Sequence, residues 1–187
     1  MNRRRLKLVL AIGVMSLLGA VGVAVATGGK DIRERLSGYE EVPAISSPAS
    51  GEFMLRMDRF SDRFEWRLSY RGFDSNVTQA HIHFGDRHTN GGISVWLCAN
   101  NPPITNAPVG TQACPLREGA ITGVIEPDDV VGPGRTATAA GQGIEPGEFD
   151  EFVDALRAGV TYANVHTANF GGGEIRAQLV DDRDRRW

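Results

Sequence analysis

The sequence predicts a mainly β domain: an antiparallel, Greek-key-like sandwich or barrel of about seven or eight strands, with one short helix near residues 146–157. Three observations carry this. Short segments of strict apolar/polar alternation recur along the chain, as in Phe64, Trp66, Leu68 and Tyr70 set against Glu65, Arg67, Ser69 and Arg71. Glycine and proline clusters separate them. Only one stretch, Pro146–Arg157, has helical spacing, with Phe149, Phe152, Val153 and Leu156 on one stripe.

The elements follow in order. Residues 1–26 hold Arg3, Arg4, Arg5 and Lys7, then an uncharged apolar run from Leu8 ending in Ala24-Val25-Ala26. Basic, apolar, then small-x-small is the pattern of a secretory signal peptide. The run is also nearly long enough to serve as an N-terminal membrane anchor. Either reading places the body of the chain outside the cytoplasm, secreted or anchored to the membrane by that segment. Residues 27–35 read as a polar tether, and Leu36–Val42 as a first strand stopped by Pro43. Glu52–Asp58 and Arg63–Arg71 alternate and are close enough in sequence to form a hairpin across Asp58–Asp62. Val77–Phe84 puts Thr78, Ala80, Ile82 and Phe84 on a core face. Val77, Gln79, His81 and His83 then face outward or toward a covering loop.

Ile93–Ala99 is apolar on nearly every residue, which predicts a central strand buried on both sides. Residues 100–118 read as loop, Ala120–Ile125 as a strand and Glu126–Ile144 as connector. Pro146 in the first turn, acidic residues after it and Gly159 at the stop suit the helix. Val160–Ala168 and Glu174–Val180 close the domain as two strands joined through Gly171-Gly172-Gly173. Residues 36–180 form the β domain, and 181–187 a charged tail.

Without residues 1–26 the chain has 16 basic and 23 acidic residues, a net charge of −7, with Lys30 its only lysine. That excludes nucleic acid as a partner, since phosphate contacts need clustered basic residues. Cys98 and Cys114 are an even pair; in an oxidising compartment they read as a disulfide, with thiolate metal ligation as the alternative. No G-x-S-x-G elbow marks a nucleophile. Asp128-Asp129 lacks the spacing of a calcium loop.

Three of the four histidines, His81, His83 and His88, lie within eight residues. His81 and His83 project from one face of their strand. His166, in Tyr162-Ala163-Asn164-Val165-His166-Thr167, also lies opposite a core position. The three make a candidate site for copper or zinc, for which imidazole is a suitable donor, and three protein ligands leave a position open. Asn164, Glu174, Arg176 and Gln178 are candidates to orient the ligands. A purely structural polar layer, with Arg176 paired to Glu174 or another carboxylate, competes with this reading. His88, in a polar turn, is expected in solvent.

Leu36-Ser37-Gly38-Tyr39-Glu40-Glu41-Val42-Pro43, Ala80-His81-Ile82-His83, Tyr162–Thr167 and Gly173-Glu174-Ile175-Arg176-Ala177-Gln178-Leu179 occur in that order. Together they resemble a CHRD domain, the module repeated in animal chordins and found singly in exported microbial proteins. The resemblance implies an extracellular β domain and assigns no reaction. His81-Ile82-His83-Phe84-Gly85-Asp86 is also similar to the copper-binding His-x-His strand of copper/zinc superoxide dismutases; the rest of that family's pattern is missing. The expected function is therefore a non-catalytic extracytoplasmic binding or structural module, with or without a bound metal. Its partner would be an extracellular protein, a glycan or a matrix component. The alternative is a copper- or zinc-dependent metalloenzyme with an open coordination position.

Overall fold

A computed structural model describes residues 30–57, 63–100, 102–133 and 141–180. The expected leader, the Asp58–Asp62 connection and the charged tail lie outside the described residues. Eight strands, β1 (Lys30–Ser37), β2 (Ser50–Met57), β3 (Phe64–Arg71), β4 (Val77–Phe84), β5 (Gly92–Ala99), β6 (Gly119–Ile125), β7 (Thr161–Thr167) and β8 (Ile175–Gln178), form one sheet. Its order is β5-β4-β7-β8-β1-β2-β3-β6, antiparallel at every pairing, and it curls into a nearly closed barrel. The return of β8 to lie beside β1 gives the Greek-key-like connectivity.

Alternation decides which side chains fill the barrel. In β3, Phe64, Trp66, Leu68 and Tyr70 are buried while Glu65, Arg67 and Arg71 are exposed. The register sets Leu68 opposite Phe53 and Trp66 opposite Leu55. Ile82, Val165 and Ile175 continue the interior across β4, β7 and β8. Helix α1 (Phe149–Arg157) buries Phe149, Phe152, Val153 and Leu156, with the Phe149 ring 4.9 Å from that of Phe64.

Two expectations are corrected. The first strand starts at Lys30, so part of the expected tether belongs to the sheet. Beyond Ser37 the chain makes a 3₁₀ turn, Gly38–Glu40, instead of continuing as a strand to Val42. β1 was obscured by its charge: only Ile32 and Leu36 face the core, while Asp31 and Arg33 pair with Arg56 and Glu52 across β2. The second correction concerns β5, which is an edge strand and not a central one. Its apolar residues are covered by chain lying in the gap between the edges. Val95 bridges Val130; Ala99 N–H donates to Gln112 O, and Gln112 Nε2 donates to Thr122 O on β6. The gap is thereby closed without a ninth strand, which protects both edges. Cys98, in β5, is disulfide-bonded to Cys114 in the covering loop.

Candidate metal centre

The outer wall of β4, β7 and β8 carries polar side chains where a barrel exterior would ordinarily meet water. Register places His81 opposite Asn164 and His83 opposite Tyr162, then Asn164 opposite Arg176 and Tyr162 opposite Gln178. On the other side His81 faces Trp96 of β5, and the β4–β5 register shifts before His81 and again before His83. Such irregularities re-aim side chains. Trp96 meets the His81 ring edge-on, at 4.3 Å between centroids.

These residues are buried because three loops roof them. Gln178 Nε2 donates to Gly85 O, and Arg176 donates to Asp86 O and Thr89 O, holding the turn after β4. Ser47 and Thr167 hydroxyls donate to the two oxygens of Glu174, which ties the 43–49 loop to the strands. Arg87 and Glu40 form an ion pair across the roof at 2.7 Å. His81 is fully buried; His83 and His166 are 7% and 6% exposed.

Within this shell the nitrogens of His81, His83 and His166 gather with one donor atom from each ring inside 4.8 Å of the others. His81 Nδ1 is 3.2 Å from His166 Nε2. His83 Nδ1 lies 3.0 Å from Gly91 O, and His166 Nδ1 lies 3.0 Å from Gly171 O. A carbonyl only accepts, so each of these neutral rings carries its proton on Nδ1 and turns the Nε2 lone pair inward. Backbone carbonyls orient metal-binding histidines in the same manner. His166 Nε2 is also 3.0 Å from Asn164 Oδ1. His81 Nε2 and His83 Nε2 have no hydrogen-bond partner among the described residues.

Burial keeps the cluster uncharged. It drives the pKa of His81 well below the usual imidazole value, with further depression from His166 and His83. It brings His83 down to about 4 against the raising effect of the Gly91 hydrogen bond, and it lowers His166 likewise. The nearest guanidinium, Arg176, lies 3.4 Å over the Tyr162 ring, which itself stacks on His83 at 4.7 Å.

The CHRD domain family model matches residues 32–179, the described β domain almost from end to end. The chain belongs to the CHRD domain family. No curated protein and no solved structure gives a significant match. In this CHRD domain, Asn164 contacts the histidines directly, while Arg176 reaches His83 through Tyr162. Glu174 and Gln178 bond to the roof and to the two ends of β7 rather than to an imidazole. The pairing of Arg176 with Glu174, one form of the competing structural layer, does not form; Arg176 donates to carbonyls and to Gln178 Oε1. His88 is exposed, as expected. Sequence reasoning missed Glu41, Tyr162 and Trp96 as neighbours of the site. Glu41 lay in view within the Tyr39–Pro43 motif, but nothing local shows a loop carboxylate folding back over β7 and β8.

Proposed function

We propose that this CHRD domain is an exported, non-catalytic module that holds one copper or zinc ion through His81, His83 and His166. One observation carries the reading: three neutral, buried imidazoles converge, with the donors of His81 and His166 3.2 Å apart. Two nitrogens each about 2.0–2.1 Å from one ion keep that spacing. Imidazole donors fit copper and zinc, and neutral rings have no proton to displace. A purely structural layer accounts less well for His83, whose Nδ1 is held by the Gly91 carbonyl while its buried Nε2 has no partner among the described residues. A buried polar atom without a partner costs roughly 1–3 kcal/mol.

Export is supported by the Arg3–Ala26 pattern and by the disulfide, which persists in oxidising compartments. The ion would serve the domain's binding or structural role by holding β4 to β7 beneath the roof. The partner expected of such a module is an extracellular protein, glycan or matrix component.

The test is zinc and copper analysis of protein purified from cells expressing the full chain, before and after exposure to each ion. About one equivalent should be retained by the wild type and lost in His83→Ala. Failure of the wild type to retain either ion would contradict the proposal.

A further inference from the structure

The 3₁₀ turn after β1 delivers Glu41 into the roof of the histidine cluster. The residue is 7% exposed, and its Oε1 has no hydrogen-bond partner among the described residues. The Val42 N–H serves the carboxyl from its own loop. Two glycines build this position. A side chain at Gly38 would collide with the Ile45 carbonyl oxygen, so the turn packs against the neighbouring loop only as glycine. At Gly173, where φ is +126°, a Cβ would stand 2.6 and 2.8 Å from the Glu41 carboxyl oxygens and 2.9 Å from Asn164 Nδ2. Glu41 and the Asn164 carboxamide therefore face each other across space that glycine leaves open. The far end of that carboxamide is 3.0 Å from His166 Nε2.

The charge around the cluster gives this arrangement a use. Three neutral imidazoles bring no negative charge to a cation. Arg176, electrostatically coupled to His83, opposes one, and it is also the cation that acts on Glu41. Both oxygens of Glu174 are engaged by the Ser47 and Thr167 hydroxyls. Glu40 is ion-paired with Arg87, and Tyr162 is a phenol kept neutral by burial. Glu41 is thus the carboxyl with an uncommitted oxygen beside the cluster, and a buried cation without a counter-charge is costly.

We propose that Glu41 is the buried anion that balances a divalent cation held by the three histidines, acting through space across Asn164 and not as a ligand. The inference rests on the histidine site proposed above. Coulomb attraction scales with ionic charge, so Glu41 stabilises a divalent ion about twice as strongly as a monovalent one. Isothermal titration in chloride-free buffer at pH 8, above the Glu41 value that burial raises to about 7, should use Zn(II) and Ag(I) on wild type, Glu41→Gln, Glu41→Asp and His83→Ala. Glu41→Gln is expected to weaken Zn(II) tenfold or more and Ag(I) by only about the square root of that factor. Glu41→Asp, which keeps the charge, should retain most of the Zn(II) affinity. Equal losses for the two ions, or none, would overturn the role of Glu41 while leaving the histidine site standing. Absence of binding by the wild type, or binding that survives His83→Ala, would overturn the histidine site and this inference with it.

Discussion

His81 Nδ1 stands 3.2 Å from His166 Nε2, although 85 residues separate the two in the chain. β4 and β7 bring them together, with Gln79 opposite His166 and His81 opposite Asn164. The contact is diagonal across the pair, on the wall facing away from the barrel interior. Its burial depends on the roof loops.

Acid should weaken the apo fold through these rings. A histidine whose folded pKa lies below its unfolded value leaves the unfolded state binding more protons, so stability rises with pH between the two values. For His83 that window runs from about 4 to 6.5. Glu41, raised to about 7 by burial, works in the opposite sense between 4.5 and 7. Three depressed histidines outweigh one raised carboxyl. Urea unfolding of metal-free protein should therefore give lower stability at pH 5 than at pH 7, by on the order of 1 kcal/mol or more. Glu41→Gln should steepen the dependence and His83→Gln should flatten it.

Arg176 should matter to stability more than its distance from the histidines suggests. It is 1% exposed, stacks over Tyr162 and holds the turn after β4 through Asp86 O and Thr89 O. Arg176→Met keeps much of the volume and removes the charged donors. A loss of about 2–3 kcal/mol is expected, since hydrogen bonds from charged groups contribute roughly 1.5–3 kcal/mol each and the stack adds to them. Amide exchange at residues 85–91 should accelerate in the variant; unchanged exchange there would show that Arg176 does not hold the roof.

Gly123 in β6 should not tolerate alanine. Its Cβ would lie 2.6–2.8 Å from the Trp66 indole, a buried ring that cannot move away without disturbing Leu55 and Phe53. Gly123→Ala should cost about 1–3 kcal/mol by overpacking, read as a lower urea midpoint with an unchanged slope. Equal midpoints would mean that the indole yields freely.

Removing the disulfide should lower stability by about 3 kcal/mol, the loop-closure effect for a span of this length. The paired variant Cys98→Ala/Cys114→Ala tests it without leaving a free thiol. Amide protection at Ala99 should fall as well, because its N–H donates to Gln112 in the tethered loop.

The fold was legible wherever burial is one-sided. β3 alternates because one face packs inward and the other meets water, and β4 alternates because its second buried face is polar, so period two survives in both. β5 misled because the 108–114 loop and Val130 cover an edge that alternation treats as a sheet centre. β1 misled in the other direction: Asp31, Arg33 and Arg35 look unstructured until β2 supplies Arg56 and Glu52 opposite. In the site, the shared face of His81 and His83 follows from strand geometry alone, and His166 follows from its place opposite core residues. Glu41 and the carbonyls of Gly91 and Gly171 enter only when three loops fold over the wall. No local pattern encodes that roof.

Nitrogen superhyperfine structure in the electron paramagnetic resonance spectrum of Cu(II)-loaded protein tests the three-histidine site most directly. Ligation by His81, His83 and His166 predicts one copper with three equivalent-class imidazole nitrogens, and two after His166→Ala. A wild-type spectrum with fewer than three imidazole nitrogens, or one unchanged by substituting any of these histidines, would contradict it.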